Sequence, residues 1–419
     1  MDTVFFRVDA SAEQGEGHLR RCLTIAKSLT FNVDIIFCCV SLTPSTEALL
    51  AHSNFCTIKL VTDKSAQKKQ IVALINTCLS PSVLIIDHYN ITKDWEYDVK
   101  VATGAFLVII DDLADKTHYC DLLIDSNYFR KAKDYFSLVN DKCEILCGTQ
   151  CLTFSENVLQ SKAKLQSETA KKIKNSTHVF FGATDPHTSS ATIALYIAKS
   201  QQQKVFVAFT KSTSLLNTQQ QQLSNKKDII INTEESEFSD VMSLCEFAIG
   251  APGITLWERL LLGCKTGCFA TNENQVAILQ HLHQEGICCY LGSIWKMDAQ
   301  DIEASIEYFY AEGSNQLHLN NFKSKFKGQS GKLVNEKIMS FFPQLQTMHL
   351  DNVSLISYTS EHIEKTVAWL SSSQLRSTFG FSKKISTESH TKRLKQQSNF
   401  YLWAILTNNQ YVGNISIRI

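Results

Sequence analysis

The stretch Val4–Cys22, VFFRVDASAEQGEGHLRRC, decides how the chain begins to fold. An apolar run stops at Asp9, a polar loop carries Gly15 and Gly17, and His18 then opens a helical pattern. Leu19, Cys22, Leu23, Ala26 and Leu29 keep the i, i+3, i+4, i+7 rhythm of a helix with one buried face. Strand, glycine-bearing turn and helix form the first half of a βαβ unit. Apolar runs at Val33–Val40, Val83–Ile86, Phe106–Ile110 and Leu122–Ile124 continue the alternation. Together with Val4–Val8 they predict an α/β domain with a parallel sheet covered by helices.

The segment SENVLQSKAKLQSETAKKIKN (Ser155–Asn175) is polar and lysine-rich and reads as a solvated helical connector. A second α/β unit starts at THVFFGATDP (Thr177–Pro186), a strand followed by a turn. Lys204–Phe209, Asp228–Ile231, Phe247–Ile249, Thr266–Phe269 and Cys288–Leu291 follow as short strands, and Lys332–Phe342 as a closing helix. The expected division is residues 1–160, a connector 161–176, a second domain 177–342 and a further segment 349–419. Two open α/β sheets in tandem put a ligand outside the carboxyl ends of their strands, in the crevice that they face.

Bulk composition narrows the function. The 419 residues have a formal net charge of +0, which gives no support to an extended nucleic-acid surface. No apolar stretch has the 18 or so residues of a membrane span, and no leader pattern precedes the first strand. The 14 cysteines sit largely inside apolar runs, as free thiols of a reducing cytoplasm do. Cys143, Cys147 and Cys151 would align on a helix, but their segment reads as strand then loop. Asp111-Asp112 reads as a strand-end turn, with no third ligand evident, so neither a metal nor a cofactor is expected.

Two stretches carry chemistry. At Gly15–His18 glycine lets the backbone approach a ligand, and a helix start offers unpaired N–H groups to a diphosphate or a polar sugar. The dipole there disfavours an imidazolium, so a neutral imidazole would take a proton from water. Spacing alone fits equally a histidine that caps or packs on the turn. The second stretch is FAIGAPGITLWERLLLGCKTGCFATNENQ (Phe247–Gln275). Its strand ends in a tight turn to Gly253, and Thr255 and Glu258 lie in the first turns of the next helix. That is a phosphate cradle without a P-loop lysine, and Glu258 would accept two hydrogen bonds from a ribose diol. A glutamate that complements the helix dipole gives the same pattern.

The residues Gly250, Ala251, Gly253, Thr255, Trp257, Glu258, Arg259, Gly263, Glu273, Asn274 and Gln275 resemble a family motif. The family is the UDP-sugar hydrolases of the pseudaminic acid pathway, in the inverting glycosyltransferase-B-like group. RVDASAEQGEGHLRRCLTIA (Arg7–Ala26), IIDHYNI (Ile85–Ile91), IDDLAD (Ile110–Asp115) and CDLLIDSNY (Cys120–Tyr128) are similar to further family stretches in the same order. The likeness spans about residues 3–342.

The resemblance implies two Rossmann-like domains of glycosyltransferase-B type. It implies His18 as the residue that acts on an attacking water, with UDP on Gly253, Thr255 and Glu258. Gly15 and Gly17 shape the first turn, Asp87 and Tyr89 line the crevice, and Asn274 and Gln275 face the sugar or its phosphates. The implied reaction is hydrolysis of a UDP-linked diacetamido-trideoxy sugar at its anomeric C–O bond. The implied partner is this small molecule alone, without nucleic acid or membrane. A glycosyltransferase or a non-catalytic UDP-sugar-binding protein would use the same architecture. The chain departs from the family at Ala183, where a glycine is usual; the added methyl puts that loop's approach to the ligand in doubt.

From His349 onward a strand, a helix with Trp369, a second helix (ISTESHTKRL) and a hairpin (FYLWAI, YVGNISI) are similar to the first half of a GCN5-related N-acetyltransferase. The pyrophosphate loop of that fold would come next. The expectation is a partial acetyltransferase-like segment without acetyl transfer of its own.

Overall fold

The computed structural model describes residues 2–11, 16–29, 33–78, 82–167, 170–182, 185, 189–201, 203–210, 217–316, 331–342, 348–350, 353–372, 385–395, 400–408 and 410–418. The chain divides into two units, Met1–Thr153 with Ser330–Ile419, and Phe154–Gln329.

In the first unit, strands β1 (Asp2–Val8), β2 (Val33–Cys39), β3 (Cys56–Lys59), β4 (Ser82–Asp87), β5 (Phe106–Ile110), β6 (Leu122–Asp125) and β7 (Glu144–Cys147) form one sheet. Their order is β3-β2-β1-β4-β5-β6-β7, and every pair is parallel. Helices cover both faces. The helix Gly17–Ser28 lays Leu19, Cys22, Leu23, Ile25 and Ala26 on the face that holds Val4, Phe6, Val83 and Ile85. Each such Leu or Ile contributes about 1.5–3 kcal/mol by leaving water. The opposite face holds Phe5, Leu84, Ile86 and Leu107 with Ile71, Ile75 and Val99 from two further helices. Strand order reverses between β1 and β4, so the switch point lies where Val8 pairs with Asp87.

The second unit repeats the plan with β8 (Ile173–Phe180), β9 (Lys204–Ala208), β10 (Ile229–Asn232), β11 (Cys245–Gly250), β12 (Lys265–Ala270) and β13 (Cys289–Ser293). The parallel order is β10-β9-β8-β11-β12-β13, with its switch point between β8 and β11. The fold expectation of two Rossmann-like α/β domains therefore holds.

The boundaries differ from the expected ones. The helix Glu156–Gln166 belongs to the second unit, tied by Ser161 and Lys164 to Asp240, and β8 begins at Ile173 inside the expected connector. The helix Lys332–Met339, expected to close the second domain, buries Val334 and Ile338 in the first unit's core. Phe341 stacks on Phe106 at 4.5 Å between ring centroids.

Beyond it, β14 (Met348–Leu350), β15 (Val353–Ser357), β16 (Phe400–Thr407) and β17 (Gln410–Arg418) form an antiparallel sheet in that order. The helices Ile363–Ser371 and Thr387–Lys395 fall between β15 and β16, and Tyr358, Ile363, Leu394, Leu402 and Ala404 make a small core. All fourteen cysteines are free thiols.

Candidate functional site

The first constellation sits at the switch point of the first sheet. Asp87 ends β4 on the face covered by the helix Gly17–Ser28, and is 1 % exposed. Its Oδ1 lies 2.6 Å from His18 Nδ1. Arg21 stands one helical turn after His18 and forks the same carboxylate, Nε to Oδ2 at 2.8 Å and Nη2 to Oδ1 at 2.7 Å. The carboxylate only accepts, so at 2.6 Å Nδ1 must carry the proton and donate it. Arg21 Nη2, 3.3 Å from Nδ1, is then a neighbour and not its donor. The imidazole is thereby held in the Nδ1–H tautomer, with Nε2 as its acceptor. Nε2 has no hydrogen-bond partner among the described residues and is not sealed from solvent.

Burial pushes the Asp87 carboxyl up, but the Arg21 guanidinium and His18 more than offset it and hold it down at about 2. The Cys22 thiol beside it is raised well above its ordinary range by burial and by Asp87, and stays neutral. Tyr89 closes the site: its ring meets the His18 ring edge-on at 4.6 Å, and its hydroxyl donates to Asp112 Oδ2 at 3.3 Å. Asp112 Oδ2 also lies 3.6 Å from Arg21 Nη1. Asp111 caps the strand-end turn through Leu113 N and Ala114 N, as its sequence position predicts.

The next residue, His88, belongs to a separate network. Asp9 takes His88 Nε2 at 3.0 Å and the buried Arg7 Nη2 at 2.9 Å on Oδ2, and Val40 N at 2.6 Å on Oδ1. These bonds tie the ends of β1, β2 and β4. They floor a cavity of about 570 Å³ lined also by Lys64, Trp95 and Asp98. Arg7 and His88 there are tied to Asp9 and Lys68 to Asp98, whereas His18 keeps an open ring nitrogen.

The second constellation sits at the other switch point. Gly253 has φ of 116° and forms the N-cap of the helix Ile254–Leu261, so no side chain caps that helix. Thr255 and Glu258 are half-buried on its first turns. Beneath the turn lies Arg259, fully buried. Its Nη1 donates to Ala251 O at 3.0 Å and its Nη2 to Phe180 O at 2.6 Å, which ties β8 to the turn after β11. There is no room there for a side chain on Gly250: a Cβ would lie 1.8 Å from Phe180 O and 2.3 Å from Arg259 Nη2. His178, on the adjoining strand, is buried and held at about 3 by burial and by Arg259, so it is neutral.

Several expected site residues stand differently. Gly15 and Ala183 lie outside the described residues. Gly17 is the exposed first residue of its helix, with nothing within 4 Å of where its Cβ would be and no left-handed backbone, so the fold itself does not require a glycine there. Asp87, expected to line a crevice, is buried with both oxygens engaged, because β4 ends beneath the helix Gly17–Ser28; it orients His18 instead. Gln275 turns its Oε1 to Thr271 N at 2.8 Å and Thr271 Oγ1 at 3.0 Å, while Asn274 is exposed on the same short turn after β12. Arg21 and Arg259 were singled out only as motif letters. Their signals were the one-turn offset from His18 and a charge inside an otherwise leucine-rich helix.

No protein-family model matches the chain. It is 28% identical over 278 residues to the UDP-2,4-diacetamido-2,4,6-trideoxy-beta-L-altropyranose hydrolase of Campylobacter jejuni, a match covering 65% of this chain and 94% of the relative. It is 23% identical over 422 aligned positions to the uncharacterized protein MJ1062 of Methanocaldococcus jannaschii, covering 98% of this chain and 82% of that one. Among solved structures, a UDP-glucosyltransferase from Polygonum tinctorium superposes with a TM-score of 0.56 at 11% identity, covering 82% of this chain and 98% of that chain. A ugt transferase from Siraitia grosvenorii in complex with UDP gives 0.52 at 11% identity, covering 81% and 99%. These likenesses establish the fold as that of the GT-B glycosyltransferases. Among the described residues no helix is long and apolar enough to cross a membrane, and no group of three or more His, Cys, Asp or Glu could hold a metal ion.

Proposed function

We propose that the chain hydrolyses a UDP-linked 2,4-diacetamido-2,4,6-trideoxy sugar to UDP and the free sugar. The observation that carries this reading is the His18–Asp87 pair, an imidazole fixed by a buried carboxylate with Nε2 open as a base. The Campylobacter jejuni relative's name supports the sugar class, and the UDP complex of a structural neighbour supports the nucleotide.

In this account water loses a proton to His18 Nε2 as its oxygen bonds the anomeric carbon. The C1–O bond to the β-phosphate breaks, and its electron pair leaves with UDP. Asp87 stays ionised and stabilises the imidazolium that forms, since Arg21 keeps its carboxyl at about 2. The helix Ile254–Leu261 and the turn before it receive the diphosphate, whose growing charge meets the helix N-terminus. Glu258 accepts the ribose hydroxyls. Asn274 and Gln275 face the sugar or its phosphates. The antiparallel sheet within residues 348–418 and the two helices among its described residues support an acetyltransferase-like segment, which has no part in this chemistry.

Turnover in ¹⁸O-labelled water tests the bond that breaks. Label in the released sugar and none in UDP is the expected result; label in the UDP phosphate would overturn the account. A glycosyltransferase is the second reading, favoured by the solved neighbours. It requires UDP release to depend on an added acceptor.

A further inference from the structure

We infer that Arg21 is a positioning residue that sets the pH at which the His18–Asp87 pair gains its proton, by neutralising Asp87 and fixing its orientation; this rests on the hydrolase reading. The guanidinium binds both carboxylate oxygens, at 2.8 and 2.7 Å, so the plane of Asp87 is fixed by two parallel contacts. One of those oxygens is the one that His18 Nδ1 uses. His18 therefore sits beside an ion pair and not beside a bare carboxylate. A bare carboxylate at 2.6 Å would favour the imidazolium, and a histidine already protonated is no base. Arg21 supplies the opposing charge at 3.3 Å from Nδ1.

The other ionisable groups on the surrounding elements do not supply it. From the same helix, Cys22 is a neutral thiol and Arg20 pairs with Glu16 at 2.8 Å. From the end of β4, Tyr89 is a neutral phenol, its ionisation pushed up by burial and by Asp112, and His88 is engaged with Asp9. From the end of β1, Asp9 is matched by Arg7. From the end of β5, Asp112 lies on Arg21's far side at 3.6 Å, and Asp111 bonds Tyr135. Arg21 is thus the cation in direct contact with the Asp87 carboxylate that His18 uses. It is also tied to Asp112, which keeps it in place when Asp87's charge is being shared with a forming imidazolium.

The test compares Arg21→Met, Arg21→Lys and, as a control, Arg20→Met. Two quantities are read: the acid limb of kcat/KM, and the pH at which the His18 ring signals move in NMR without substrate. Arg21→Met should move both to higher pH by about one to three pH units, since an unopposed charge within a few ångströms has that effect. Arg21→Lys keeps the charge and loses the fork, so kcat should fall about tenfold or more while the acid limb stays within about half a pH unit of wild type. Arg20→Met should leave both in place. An Arg21→Met protein with reduced kcat but an unmoved limb and unmoved ring signals would overturn the inference, leaving Arg21 a packing residue. Ring signals that move in a chain that hydrolyses nothing would sustain the inference while removing the hydrolase reading.

Discussion

His18 Nδ1 and Asp87 Oδ1 are 2.6 Å apart, although 69 residues separate them along the chain. The parallel pairing of β1 with β4 makes the contact possible: it sets Val8 level with Asp87, and the helix after β1 carries His18 back over the end of β4. An Asp87→Asn change keeps the shape but lets the amide donate to Nδ1, which moves the ring proton to Nε2 and removes the base. We expect kcat to fall by about 10²–10⁴-fold, as loss of general-base help does, with His18→Ala similar and the double variant no worse. Steady-state rates of the three variants check this. An Asp87→Asn enzyme within threefold of wild type would contradict it.

The same carboxylate gives a pH-dependent stability. Its folded value of about 2 lies below its ordinary 3.8, because Arg21 and His18 outweigh the burial that opposes ionisation. A carboxyl lowered on folding stabilises the protein above its unfolded value, and that contribution fades as pH falls through the folded one. The window is therefore about pH 4 down to about pH 2, and the amount about 2 kcal/mol. The stability gap between wild type and Asp87→Asn in urea should be largest at pH 6, fall to about half near pH 3 and close only below about pH 2. A gap constant across that range would rule the assignment out.

Two glycines should respond oppositely. Gly250→Ala drives a methyl to 1.8 Å from Phe180 O and toward the Arg259 guanidinium, both fixed, so the turn must shift. We expect a loss of at least about 1–3 kcal/mol in stability and a loss of UDP binding. Gly17→Ala meets nothing within 4 Å and should fold as wild type does, with any loss confined to activity. Thermal melts with UDP titration calorimetry separate the cases; an unaltered Gly250→Ala protein would show that the tight approach is not needed.

Arg259 offers a test of the second constellation. Replacing a buried charge by an apolar side chain of like volume is often tolerated for stability. Arg259→Met, however, also frees Phe180 O and Ala251 O and releases the turn that they hold. UDP affinity should weaken about tenfold or more while the His18 ring signals stay unchanged. Unchanged UDP affinity would mean that the turn keeps its shape without the arginine.

Much of this was visible in the residues. β1, β4, β5 and β6 lie under apolar runs because a parallel strand covered on both faces has no polar side to show. β3 escaped because it is an edge strand with three of its four residues exposed. Lys174 and Asn175 in the first half of β8 are likewise exposed and read as connector. The helix Lys332–Met339 was legible as a helix, but amphipathicity names no partner, and the core it packs in is that of the first unit, to which it belongs. At the site, His18 stood out by its glycine turn and Asp87 by resemblance. Their pairing depends on strand order, and the role of Arg259 depends on two carbonyls that only the folded switch point brings together.

The most direct test of the account is a proton NMR time course of the protein with UDP-2,4-diacetamido-2,4,6-trideoxy-β-L-altropyranose, without metal and without acceptor. The account predicts free UDP and the reducing sugar appearing together in the wild type and not in His18→Ala. A nucleotide that stays intact while its uridine signals broaden, or one consumed only when an acceptor is added, would contradict it.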